Sequence, residues 1–129
     1  KASMKALDVA KELASKLGAE IVLVHVYQVP MFTYPGLEPA LLPTFSAEIG
    51  EAVKKAMAEL KEQTGISKAI LREGEPASEL LAIADEVSAK MIVMGTHGRK
   101  GISHLLLGSV AERVVRQSKV PVLTIRWSD

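Results

Sequence analysis

Helix-patterned and strand-patterned segments alternate along this chain without exception. Met4, Leu7, Ala10, Ala14 and Leu17 share one helical face, with Lys5, Asp8, Lys11, Glu12 and Lys16 largely opposite. Gly18 stops that helix. Residues 21–27 follow, β-branched and almost unbroken in apolarity, as in a strand covered on both faces. A second helix is expected over residues 46–63, with Ser46 as its N-cap and an apolar stripe of Ile49, Val53, Ala56, Met57 and Leu60. Gly65 ends it, and residues 68–72 read as a short strand. Gly74, Glu75 and Pro76 make a turn into a third helix, whose buried face carries Leu80, Ile83, Ala84 and Val87. Residues 91–94 are the next strand, a fourth helix starts at Ser109, and residues 120–125 form the last strand. Pro121 cannot donate to a ladder, so it belongs at a strand start or an edge. The order α, β, α, β, α, β, α, β implies an α/β fold: an open parallel sheet with helices on both faces, Rossmann-like, joined by right-handed crossovers.

The composition suits one such domain. In 129 residues, 48% are hydrophobic and only 4% aromatic, so the core must be Val, Ile, Leu, Ala and Met. A net charge of +1 gives no electrostatic case for nucleic acid. There is no cysteine, hence no disulfide framework and no thiolate metal site. The longest apolar run, residues 21–27, is too short to cross a membrane and includes His25. Residues 1–18 are amphipathic and charged rather than signal-like, and a reduced cytoplasmic setting is expected. His25 itself reads as a core histidine with a satisfied hydrogen bond. Residues 30–43 hold four prolines and one glycine. They form a long loop that is a lid, a partner contact or a segment without a role.

The chemistry concentrates after the third strand. Gly95-Thr96-His97-Gly98 is followed by nine residues and then Gly108-Ser109. Strand, glycine loop and helix start come in the order that a phosphate site needs. Glycines let backbone approach an anion because no Cβ intervenes. The first N–H groups of the next helix point at the ligand, and the helix dipole favours negative charge. Ser109 is placed to cap that helix or to donate a hydroxyl to phosphate. Arg99 and Lys100 add cations, which neutralise phosphate or decorate a solvated loop tip. His97 and His104 sit in the same loop and suit phosphate hydrogen bonding or acid–base work. No Gly-Lys-[Ser/Thr] run and no G-x-G-x-x-G fingerprint occurs, so the site is neither a Walker A loop nor a dinucleotide loop. No carboxylate lies between residues 95 and 110, which favours binding over phosphoryl transfer.

The glycine spacing G-x2-G-x9-G-[ST] resembles the nucleotide motif of the universal stress protein family. So do the junction from Gly18 through Glu20 to Val26, Gly74-Glu75-Pro76 before a helix, and the last strand. The resemblance implies ATP, with or without Mg2+, at the carboxyl ends of the strands. It implies a triphosphate and ribose cradle of Gly95, Gly98, Gly108 and Ser109, flanked by the main chain of Met94 and Val110, with Val26 at the adenine. His97 and Arg99 complete the candidate set. The function implied is an ATP receptor in stress response or signalling. A slow ATPase or phosphotransferase, or a member acting by dimerisation without nucleotide, stand as alternatives. An apolar edge at Val122–Ile125 implies a homodimer.

Members of that family resemble one another in a five-stranded sheet of order 3-2-1-4-5, opening with a strand and a short acidic turn. Here Lys1 already stands at a helix. The expectation is one universal stress protein domain over residues 1–129, N-terminally incomplete, lacking the central strand. Two alternatives are a strand donated by another chain, and direct pairing of residues 21–27 with residues 91–94 in a four-stranded sheet.

Overall fold

A computed structural model gives the fold, and it describes residues 2–28, 42–96 and 108–126. The elements alternate as the sequence implies: α1 (Ala2–Leu17), β1 (Leu23–Tyr27), α2 (Leu42–Thr64), β2 (Ala69–Glu73), α3 (Pro76–Glu86), β3 (Ile92–Gly95), α4 (Ser109–Gln117) and β4 (Val122–Ile125). Every ladder is parallel. The fold is α/β. The chain divides into two compact units, Val22–Glu75 and the remainder, Lys1–Ile21 with Pro76–Asp129.

In the first of these, β1 pairs with β2, from Leu23 opposite Ala69 to Tyr27 opposite Glu73. The Leu23 N–H donates to the Lys68 carbonyl and the Gly74 N–H to the Tyr27 carbonyl, both at 2.9 Å, so the ladder is closed at each end. Helix α2 is the crossover between the two strands and packs on β2. Among the described residues of this unit, Met57 and Ile66 are the buried apolar ones. A shallow cleft of about 190 Å³ remains, lined by Lys54, Met57, Ala58 and Lys61 of α2 and by Ala69 and Leu71 of β2.

The second unit holds the other βαβ element. Here β3 pairs with β4, from Ile92 opposite Val122 to Gly95 opposite Ile125. Just before β4, Pro121 contributes only its carbonyl, which accepts the Ile92 N–H at 2.9 Å. No donor is required of it there, which is why proline is tolerated. Helix α1 lies against β3 and β4, and α4 lies against β4 and α3. Ala77 and Ile83 of α3 and Ala111 and Val114 of α4 are the most deeply buried residues described, each 2% exposed or less.

Three helices end on a left-handed residue. After α1, Gly18 (φ 65°) lets the Ala19 N–H reach back to the Ala14 carbonyl at 2.9 Å. After α2, Gly65 (φ 75°) donates its own N–H to the Lys61 carbonyl. After α3, Ser88 (φ 52°) takes the same place, with the Ala89 N–H bonded to the Ala84 carbonyl and the Ser88 N–H to the Asp85 carbonyl. Each arrangement satisfies carbonyls that the last helical turn leaves free.

Several expectations need correction. Helix α2 starts at Leu42 rather than Ser46. Pro43 falls in its first turn, where a missing N–H costs nothing, so Ser46 is inside the helix and not its cap. β2 is shifted by one residue, and β4 begins two residues after residue 120. Met4, Leu17 and Val87 are exposed although they belong to apolar stripes, with Leu17 68% exposed at the last turn of α1. Ala56 is exposed too, and Met57 carries the buried face of α2 alone at that level. His25 is exposed on β1, not a core histidine. Among the described residues the strands make two parallel pairs, β1–β2 and β3–β4. Direct pairing of β1 with β3 is therefore not found. Each pair is one strand–helix–strand element, the smallest unit in which parallel neighbours can be connected.

Candidate functional site

The site begins where β3 ends. Thr96 extends the ladder by one step, donating its N–H to the Ile125 carbonyl at 3.1 Å. Its own carbonyl accepts the Gly108 N–H at 2.6 Å. One hydrogen bond thus ties the departure of the chain after Gly95 to its return ahead of α4. Thr96 is the buried polar residue at this junction, and its main chain serves both partners.

Gly108 is the N-cap of α4, with an extended backbone (φ −70°, ψ 165°) and no side chain to cap with. Its carbonyl accepts the first helical bond, from the Glu112 N–H at 2.9 Å. The N–H groups of Ser109, Val110 and Ala111 precede that bond, so no carbonyl of α4 accepts from them. A helix start with three donors that α4 itself does not satisfy therefore stands beside the end of a strand. The spacing leaves Ser109 as either a cap or a hydroxyl donor. It is the first helical residue, not the cap, and it is exposed. Its hydroxyl and its N–H are presented from the same turn.

Charge near this end is arranged along α4. Glu112, in the first turn, accepts a hydrogen bond from Arg116 at 3.1 Å, on the exposed surface. Arg113 turns to α3 instead, donating from Nη2 to the Ser78 hydroxyl at 2.9 Å. Neither Ser78, Arg113 nor Thr96 stands out in the sequence. Thr96 occupies a variable position of the glycine motif, and the partnership of Ser78 with Arg113 spans 35 residues.

The candidate residues divide as follows. Met94 and Gly95 on β3 and Gly108, Ser109 and Val110 at the start of α4 come from one unit and are joined through Thr96. Val26 belongs to the other unit, half-buried on β1 opposite Arg72. His97, Gly98 and Arg99 lie outside the described residues. Among the described residues no group of three His, Cys, Asp or Glu is placed to hold a metal ion, and no helix is long and apolar enough to cross a membrane.

Known proteins share this pattern. The chain is 33% identical over 127 residues to the universal stress protein MJ0531 of Methanocaldococcus jannaschii, covering 96% of this chain and 75% of that one. Its fold is similar to that of the universal stress protein UspA from Lactobacillus plantarum, with a TM-score of 0.76 at 23% identity, over 95% of this chain and 88% of that one. It is also similar to a universal stress protein solved in complex with cAMP, with a TM-score of 0.56 at 28% identity, over 98% and 89% of the two chains. Residues 1–126 match the family model as a whole. With the alternating parallel fold and the glycine spacing from the end of β3 to the start of α4, that match makes this chain a member of the universal stress protein family.

Proposed function

We propose that this protein is a receptor for an adenine nucleotide, ATP first, held where β3 gives way to α4. One observation carries the reading: the Thr96–Gly108 hydrogen bond holds the first N–H groups of α4, those of Ser109, Val110 and Ala111, beside the end of β3. That is the geometry in which a helix start takes an anion. Gly95 and Gly108 leave room for phosphate oxygens, the Ser109 hydroxyl adds a donor, and Met94 and Val110 flank them by main chain. The family resemblance adds His97, Gly98 and Arg99 as candidates for the phosphate and Val26 as a candidate for the adenine. Support comes from the glycine motif and from the relative solved with cAMP. Mg2+, where bound, comes with the triphosphate, because residues 95–110 bring no carboxylate. The same lack favours a receptor over a phosphotransferase.

Titration calorimetry with ATP, ADP, AMP and cAMP tests this. ATP is expected to bind wild-type protein with no phosphate released, and Gly108→Val to abolish binding. The extended backbone at Gly108 is one that valine adopts, its branched side chain is expected to occupy the phosphate approach, and a melting temperature close to wild type checks that the variant folds. Equal ATP affinity in both proteins would remove the site from this loop. A preference for cAMP would keep the site and change the ligand, and steady phosphate release would make the protein an ATPase.

The protein is further proposed to act as a homodimer through Val122–Ile125. β4 carries four half-buried residues, Val122, Leu123, Thr124 and Ile125, and pairs with β3 along one side. An apolar strand edge invites a second copy. Sedimentation is expected to give a dimer at micromolar concentration, and a monomer there refutes it.

A further inference from the structure

The phosphate cradle proposed above belongs to α4, and α4 does not hold its own place. It is nine residues long, too short to be stable by itself in water. Its seat is α3, and the buried quartet of Ala77, Ile83, Ala111 and Val114 lies in these two helices. Close apolar packing holds the two helices together without direction of its own. A directional contact crosses the seam: the hydrogen bond from Arg113 Nη2 to the Ser78 hydroxyl, 2.9 Å long.

The location of Arg113 gives that contact its consequence. It lies four residues after Ser109 and so shares its face of the helix, one turn along. Fixing the guanidinium on α3 therefore fixes the azimuth of Ser109 and the advance of α4 towards Thr96 and Gly95. We propose that Ser78 and Arg113 are positioning residues for the nucleotide: α3 sets the aim of the N–H groups of α4 through this pair. The inference rests on the nucleotide reading and deepens it. A rigid helix with its donors preset binds anions better than one that must be ordered first.

Calorimetry with ATP, well below the melting temperature, tests the pair. The proteins are wild type, Ser78→Ala, Ser78→Thr, Arg113→Met and the double variant Ser78→Ala/Arg113→Met. Residues that act on a site without touching its ligand change coupling by about 0.5–2 kcal/mol, or roughly two- to thirty-fold in affinity. Ser78→Ala and Arg113→Met are each expected to weaken ATP within that range, and the double variant by less than the sum of the two, since both break the contact they share. Ser78→Thr keeps the hydroxyl and is expected to restore wild-type affinity. The salt dependence of binding is expected to be the same for Ser78→Ala as for wild type, because no phosphate contact has been lost.

Wild-type affinity in Ser78→Ala overturns the inference, whether or not its melting temperature falls. A loss confined to Arg113→Met, with a shallower salt dependence, assigns Arg113 to the phosphate directly and overturns it as well. No ATP binding by wild type overturns the nucleotide reading and this inference with it. Binding by wild type with an indifferent Ser78→Ala overturns this inference alone.

Discussion

The seam between α3 and α4 is dry, whereas the contact between α2 and β2 is not. In the first, Ala77, Ile83, Ala111 and Val114 are shut off from water almost completely. In the second, the best-covered described residue of α2 is Met57 at 8% exposure, and a cleft opens beside it between two lysines. The two contacts differ in kind, helix on helix in the first and helix on strand in the second. Side-chain size adds to the difference. Alanines in the α3–α4 seam let two helices approach closely and leave Ile83 and Val114 to fill what remains. On α2, Met57 and the stems of Lys54 and Lys61 cover Ala69 and Leu71, and flexible side chains over small ones leave gaps. The drier region is also the one whose helix start is proposed to meet the nucleotide. Precise placement of a ligand requires a supporting structure that does not shift.

The difference predicts unequal costs for equal truncations. Ile83→Ala removes a fully enclosed side chain from close packing and is expected to cost at the upper part of the 2–5 kcal/mol range seen for such changes, about 4 kcal/mol. Met57→Ala removes a side chain beside an existing cleft, which water can enter without a new dry cavity forming, and is expected to cost about 2 kcal/mol. Urea unfolding of the two variants measures both. If Met57→Ala proves as costly as Ile83→Ala, the cleft is closed in solution and the contrast between the regions fails.

Much of this organisation is legible in the sequence, because periodicity reports which faces are buried. The eight elements, their order and the parallel pairing follow from residues such as Val24, Ile83 and Val93 recurring at strand or helix spacing. What periodicity cannot report is depth. Leu17 and Val87 continue apolar stripes, yet each stands at the end of its helix, where the packed surface runs out. His25 sits in an unbroken apolar run, but its face of β1 is not closed over it, and it is exposed. The start of α2 is hidden for a different reason. Pro43 looks like loop, although a first-turn proline is compatible with a helix. At the candidate site, Gly108 and the beginning of α4 are readable because glycine spacing is local. The Thr96–Gly108 bond closes a segment of eleven residues and the Ser78–Arg113 bond spans two helices. Neither leaves a mark in the local pattern.

The helix ends offer the smallest and cleanest contrast, since both regions use one device with different residues. Gly18 and Gly65 hold φ values of 65° and 75°, and a Cβ added at either would meet nothing within 4 Å. Alanine there would lose only the backbone preference, so Gly18→Ala and Gly65→Ala are each expected to destabilise by about 1 kcal/mol. Ser88 is already in that position, with φ 52°. A non-glycine residue in the left-handed region costs roughly 1–2 kcal/mol, which glycine avoids. Glycine in turn gives the unfolded chain more freedom, worth about 0.4–1 kcal/mol against it. Relief of the backbone strain outweighs that added freedom, so Ser88→Gly is expected to stabilise the protein by about 0.5–1 kcal/mol. Urea unfolding of Gly18→Ala and Ser88→Gly against wild type should move the midpoint in opposite directions. A loss of stability in Ser88→Gly would mean that the serine hydroxyl contributes more at this turn than its backbone costs, and the three helix ends would no longer be one device.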